Sequence, residues 1–531
     1  MNRSDCVSGR DLPAAPQRGD TRLAGKEWIL AEAYGRQAGM SRKGLARVAS
    51  CAAPLVLALI LSACRTMPDI SENNFQAAGK PVTVDSVSRN NRLAELAKAQ
   101  HPRILATYGG EYSDPKLERM VAKVVGSLTT VSDNPGEVYR ITILNSPNVN
   151  AFALPGGYLY VTRGLLALAN DSAELAAVIA HEMGHVTANH GLQRQQKEAE
   201  EVLATKVVTD VLGENNSTRV ALLKGKLRLA QFSRNQELEA DAIGIKTSGL
   251  AGYDPYAAAR FLQSMAAYSD FRSISGATDP SLDFLASHPN APQRIELARV
   301  HAQRLGTPGS GAVDRDSFLA GIDGLLFGDT PEEGFVRDST FLHPKLGITF
   351  TVPSDFVIDN TATAVTATGP GDMAIRFDGV SLDQKVSLAD YLASGWVTGL
   401  DPRSVRTETI NGNPAAIASA RAEGWQFDVT VVRVGPQVYR LLTAAPLGNP
   451  SLNVVARSVG QSFRGLTPAE KASLKPLRIR IVTVRPGDTL ASLASQMAGV
   501  DRKLDLFRLI NALSPVATVS AGQKVKIISD K

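Results

Sequence analysis

Cysteine is nearly absent. The 531-residue chain has three, Cys6, Cys51 and Cys64, and none follows Cys64. A structural disulfide and a thiol nucleophile are therefore excluded from everything downstream. Charge of one sign is also scarce. The formal net charge is +5, but residues 1–63 hold nine Lys/Arg and five Asp/Glu, leaving 48 basic against 47 acidic residues. No basic patch remains to hold nucleic acid, which is excluded as a partner. Between positions 195 and 232 no apolar run approaches the ~20 residues that cross a bilayer as a helix. What is present is ordinary globular material, 44% hydrophobic and 21% charged. The length allows three or four domains with their own cores.

Histidine is rare as well, seven residues in all, yet two of them fall in His181-Glu182-Met183-Gly184-His185. A chance H-E-x-x-H is expected on the order of once in two hundred such chains. Asp171 can N-cap a helix here, with Glu174 completing a capping box, and Leu175, Ala176, Val178, Ile179 and Met183 supply an apolar face. On that helix His181 and His185 are four apart and share a face, as ligands of one metal ion must. Glu182 stands beside them as a general base for the attacking water. The pattern predicts a zinc peptidase. A catalytic zinc takes three protein ligands. His190 does not fit the H-E-x-x-H-x-x-G-x-x-H spacing, because positions 188 and 191 hold Ala188 and Gly191. It is expected at the surface or behind the ligands. Further on, Ser233-Arg234-Asn235-Gln236-Glu237-Leu238-Glu239-Ala240-Asp241 offers two carboxylates, Glu237 and Asp241, on one helix face. One can ligate the metal while the other orients a histidine.

Together, HEMGH and SRNQELEAD resemble the HtpX/BepA-type zinc metallopeptidases, relatives of the CAAX prenyl proteases. The resemblance implies a mainly helical gluzincin-type domain with one zinc per chain. It assigns Glu237 as third ligand and Asp241 as the residue that orients a ligand. It also matches Ser287-His288-Pro289-Asn290-Ala291-Pro292-Gln293-Arg294 to a downstream H-P…R element. His288 and Arg294 are then expected to line the active site, as a gating ligand or in oxyanion stabilisation. Integral-membrane relatives carry hydrophobic spans near 195–232; their lack here argues against prenyl-protein processing inside a bilayer.

From Met40 a basic segment, Ser41-Arg42-Lys43-Gly44-Leu45-Ala46-Arg47, precedes an uncharged stretch that ends in Leu61-Ser62-Ala63-Cys64. This looks like a bacterial lipobox with Cys64 as the acylated residue, and Met40 as an alternative start to Met1. An uncleaved anchor is the competing reading, although the span between Arg47 and Arg65 is short and contains Pro54. Arg65 after the lipidated residue looks like the outer-membrane sorting choice. The expected division is a leader over 1–63, a tether over 64–90, the peptidase over 91–310 and a connector over 311–337. A small α+β domain over 338–466 and a last unit over 476–528 complete an α+β multidomain chain.

Helices are expected over 91–108 and from Pro115, with Asp114 as N-cap. A strand over Val138–Leu144 precedes two β-prone segments flanking Pro155-Gly156-Gly157. An edge strand beside the zinc can pair with extended substrate, with Asn150 and Ala151 the nearest candidates; an ordinary core hairpin is the alternative. The final unit reads strand, Pro486-Gly487-Asp488 turn, helix, helix over Leu504–Asn511, strand. It resembles LysM, a βααβ module, and the resemblance implies either a peptidoglycan contact or a contact with the enzyme itself.

These features predict a periplasm-facing lipoprotein endopeptidase that uses zinc to hydrolyse unfolded or misassembled envelope proteins. Two rivals remain: an assembly chaperone whose metal site is closed by His288, and a peptidoglycan hydrolase guided by the LysM-like unit.

Overall fold

The computed structural model describes residues 86–212, 216–275, 284, 288, 292–362 and 364–531. The expected leader, the lipobox with Cys64 and most of the tether lie outside them. The first described helix, α1 (Ser86–Thr107), already starts inside the expected tether. Helix α2 (Pro115–Val131) begins as expected, with the Asp114 side chain accepting from the N–H groups of Lys116 and Leu117.

Three strands follow: β1 (Arg140–Leu144), β2 (Ala151–Leu154) and β3 (Tyr158–Thr162). The order is β1-β3-β2, with β1 parallel and β2 antiparallel to β3, so β2 is an edge. The β2–β3 turn needs glycine at 157. Its φ is +76°, and a Cβ there would stand 2.1 Å from the Val138 carbonyl oxygen. Helix α3 (Arg163–Leu168) leads into α4 (Ser172–Thr187), whose residues from Ser172 to Gly184 are all buried. Its N-cap is Asp171, which accepts the Glu174 N–H at 2.8 Å. Glu174 returns the contact one residue earlier than a capping box would, accepting the Asn170 N–H at 2.9 Å. Around α4 lie α5 (His190–Leu212), α6 (Asn216–Leu250), α7 (Ala257–Ser275) and α8 (Pro292–Gln303). No described helix is long and apolar enough to cross a membrane.

The first part of the expected connector over 311–337, as far as Phe327, is instead part of the core. It forms α9 (Arg315–Ile322), which buries Phe318, Leu319 and Ile322, and then strand β4 (Leu326–Phe327). Sparse apolar positions between Gly and Asp disguised a short amphipathic helix.

Next comes an all-but-separate α+β unit. It contains β5 (Phe335–Arg337), β6 (Thr340–His343), β7 (Ile348–Thr351), β8 (Val357–Asn360), β9 (Val365–Gly369), β10 (Met373–Ser381) and α10 (Leu388–Ala393). It continues through β11 (Arg406–Ile410), β12 (Asn413–Ala422), β13 (Trp425–Val434), β14 (Gln437–Pro446), α11 (Leu452–Ser462), β15 (Arg464–Gly465) and α12 (Pro468–Ser473). One sheet has seven strands in the order β11-β12-β13-β14-β10-β9-β8; the other runs β15-β7-β6-β5. Its main apolar cluster, including Phe341, Phe350, Phe377, Tyr439 and Phe463, is its own.

The chain then returns to the peptidase. The last unit is β16 (Leu477–Thr483), α13 (Leu490–Ser495), α14 (Lys503–Ile510) and β17 (Lys524–Ser529). Strand β16 pairs with β17 on one side and with β4 on the other, matching Leu477 to Phe327. The largest core accordingly jumps in sequence from Phe327 to Leu477, joining α2, β1, β3, α4 and the βααβ unit. The α+β unit is thus an insertion between two paired strands of one body.

Candidate metal centre

Helix α4 presents His181, Glu182 and His185, and α6 presents Glu237 and Asp241. The two helices meet through glycine: a Cβ on Gly244 would stand 2.8 Å from the His181 backbone nitrogen. That close approach carries the α6 carboxylates to the α4 imidazoles. The sequence reading passed over Gly244, whose one signal is its place three residues beyond Asp241.

His181 Nε2 lies 3.0 Å from His185 Nε2 and 3.3 Å from His288 Nδ1. Glu237 Oε2 is 3.0 Å from His288 Nδ1 and 3.6 Å from His181 Nε2, and its Oε1 is 3.6 Å from His185 Nε2. These four side chains are the one group of metal-competent donors among the described residues. A tetrahedron's edge is about 1.6 times its centre-to-corner distance, so zinc bonds of ~2.0–2.2 Å correspond to edges of ~3.3–3.6 Å. Nitrogen and carboxylate donors at 3.0–3.6 Å therefore fit zinc, and Glu237 Oε1, buried with no hydrogen-bond partner, fits an atom meant for a metal.

Behind the donors stand charged partners. Asp241 Oδ1 meets His181 Nδ1 at 2.9 Å, the carboxylate–histidine arrangement that orients a ligand. Arg294, buried on α8, donates from Nε and Nη2 to Asp241 at 2.8 Å each and from Nη1 to Glu237 at 3.0 Å. Its guanidinium clamps the two acids, so it positions Glu237 and is not free to meet an oxyanion. His288 stacks on Phe284 with ring centroids 4.3 Å apart, and the Phe284 N–H donates to the Val149 carbonyl at 2.8 Å, just before β2. Asn150 and Ala151 follow directly, where β2 begins. Asn150 donates to Tyr108 and, through its backbone, to Thr162, while Ala151 pairs with Val161. His190 is buried against His185.

Burial raises the Glu182 carboxyl above its ordinary range, and its Oε1 has no hydrogen-bond partner. That is the environment of a group built to take up and return a proton. Burial would also raise Glu237, but the His288 and His181 imidazoles hold it well below the carboxylate range. Burial together with the His181 and His288 charges pushes His185 well down. Burial opposes charge on His181 too, yet Asp241 and Glu237 push it up from 6.5 to about 10. In the metal-free protein His181 thus keeps a proton that zinc must displace. Apparent zinc affinity is expected to rise with pH from 6.5 to about 10, by up to about tenfold per pH unit. An imidazole of ordinary pKa would level off near pH 7. Competition against a chelator across that range measures this, and a flat profile above pH 7 would contradict it.

Residues 112–301 match Peptidase family M48. The chain is 28% identical to the beta-barrel assembly-enhancing protease of Yersinia pestis over 258 residues, 46% of this chain and 49% of that protein. It is 36% identical to the mitochondrial metalloendopeptidase OMA1 of Arabidopsis thaliana over 163 residues, 30% of this chain and 31% of the relative. With OMA1 of Saccharomyces cerevisiae it shares 31% identity over 209 residues, 38% and 56% of the two chains. The chain thus spans about half the length, or less, of the first two of these relatives. The family match and the Yersinia pestis alignment support the HtpX/BepA-like zinc metallopeptidase reading of the motif region, and the OMA1 alignments support a metalloendopeptidase.

Proposed function

We propose that this chain, through its M48-type domain, is a zinc-dependent endopeptidase of the bacterial cell envelope that cleaves misfolded or misassembled proteins. The observation that carries the proposal is the convergence of His181, His185 and Glu237 within 3.6 Å of one another, beside the buried base Glu182. Zinc on those three residues supplies Lewis acidity for the scissile carbonyl. Glu182 accepts the proton of the attacking water as the new C–O bond forms, then delivers it to the amine nitrogen as the C–N bond breaks. Asp241 and Arg294 hold the ligands in place. An unfolded chain lies in extended form along edge strand β2 near Asn150 and Ala151, where backbone pairing is indifferent to side-chain identity.

His288 stands at the fourth corner, where a catalytic zinc needs an open position. This favours a gated enzyme, active once His288 withdraws, and it keeps the chaperone reading as the second one. His288→Ala is expected to raise casein turnover severalfold by freeing the closed population. Turnover unchanged or lowered, with zinc retained, would refute the gate.

The envelope setting rests on the lipobox pattern ending at Cys64, which would anchor the chain by lipid, most simply at the outer membrane. The name of the Yersinia pestis relative points the same way. Exposed loops 485–487 and 514–516 of the βααβ unit would offer a surface for a peptidoglycan contact of the LysM kind.

Zinc content and casein cleavage, measured on one purified sample with and without chelator, test the central proposal. One zinc per chain, with cleavage lost in chelator and restored by added zinc, supports it. Cleavage that survives zinc removal, or none even in His288→Ala, overturns it.

A further inference from the structure

The two zinc imidazoles are oriented by different devices. His181 meets a carboxylate directly, but His185 does not. Its Nδ1 faces His190 Nδ1 at 2.9 Å, with the rings 4.9 Å apart at 75°. His190 Nε2 in turn faces Glu239 Oε2 at 3.3 Å. The turn between α4 and α5 makes this meeting happen: Asn189 adopts φ +56°, which folds His190 back over the end of the zinc helix. Gln236 donates to the His190 carbonyl at 3.0 Å and fixes the first turn of α5. His190 is 2% exposed, so water does not compete for its ring nitrogens.

Proton placement along this row has one consistent solution. His185 Nε2 is the atom that faces His181 Nε2 and Glu237 Oε1, so Nε2 is the metal-facing lone pair. Its proton then sits on Nδ1 and is donated to His190. His190 Nδ1 must be the acceptor, its own proton sits on Nε2, and that N–H points at Glu239 Oε2. No other neutral assignment satisfies all four ring nitrogens and the carboxylate.

We propose that His190 and Glu239 are positioning residues for the zinc: a histidine–carboxylate pair that locks His185 in its Nδ1–H tautomer and fixes the plane of its ring. The inference rests on the metal reading above. It assigns a task to the second glutamate of the Glu237-Leu238-Glu239 run and to a histidine whose spacing from the motif fits no ligand pattern.

The test is zinc affinity of the full chain, by competition with a chromophoric chelator. His190→Leu fills the volume but accepts no hydrogen bond, and it should bind zinc about 10–100-fold more weakly than the parent. His190→Asn, whose Oδ1 takes the place of Nδ1, should recover most of that loss; simple packing would not distinguish the two in this direction. Glu239→Ala, at a partly exposed position that tolerates truncation, should weaken binding by about tenfold. His190→Leu or Glu239→Ala within twofold of the parent, or His190→Asn as weak as His190→Leu, would overturn the assignment. A parent chain without zinc would instead strike the metal centre itself.

Discussion

Glu182→Gln is expected to lower kcat/KM on an unfolded protein by about 10²–10⁴-fold, with the zinc content of the chain unchanged. Glutamine keeps the shape of the side chain but cannot take a proton from water or return one to the amine. The carboxylate belongs to no ligand pair shorter than its 3.6 Å approach to His288 Nε2, so metal retention does not depend on it. Its buried, proton-favouring environment adds a second signature. Because burial holds the Glu182 carboxyl above its ordinary 4.5, the acid limb of kcat/KM against pH should lie higher than a solvent-exposed glutamate would place it. Below that limb Glu182 is protonated and no base is available, so activity falls as pH falls. Substantial cleavage by Glu182→Gln, with an unchanged acid limb, would mean that another group is the base.

The legibility of this centre was uneven for physical reasons. HEMGH and its cap are local, three- and four-residue relations on one helix, and sequence carries such relations well. Glu237 and Asp241 were legible as a pair, but the choice between them came from family resemblance, as did His288 and Arg294. For His190 the sequence left two places open, at the surface or behind the ligands, and Glu239 escaped, because five residues is no helical repeat. The contact exists only through the left-handed turn at Asn189, and a single asparagine does not announce that turn. In the inserted unit, β7, β13 and β14 are rich in β-branched and aromatic residues and read as strands on composition. Strand β12, Asn413 to Ala422, is not legible in this way: five alanines give it little strand propensity, and its place between β11 and β13 decides its state. The domain division failed most clearly at 311–337, because the partner that makes β4 a strand is β16, which lies beyond the whole insertion.

That topology sets up opposite outcomes for two deletions. Removing residues 476–531 is expected to prevent the peptidase from folding. Leu477, Ile479, Leu493, Phe507, Ile510, Val525 and Ile528 are buried in the core that also holds the zinc helix. At roughly 1.5–3 kcal/mol per buried side chain, their loss is on the order of 10 kcal/mol or more, comparable with the ~5–15 kcal/mol that holds a typical domain together. Lys526 adds a polar tie. Fully buried, its Nζ donates to the carbonyls of Ala167, Leu168 and Ala169 at 2.8–3.1 Å, at the C-terminal end of α3 immediately before the Asp171 cap of α4. Replacing residues 328–476 by Asn-Gly should do far less harm, although that deletion is almost three times as long. Phe327 and Leu477 are already antiparallel partners, so a two-residue turn closes them into a hairpin without moving either strand. The shortened chain should unfold cooperatively and bind one zinc, whereas the chain ending at 475 should be insoluble or protease-labile. If the chain ending at 475 binds zinc and folds, the βααβ unit is an appendage after all, and its task must be sought in its exposed loops. If both deletions fail, the inserted unit also holds up the peptidase, which its separate core argues against.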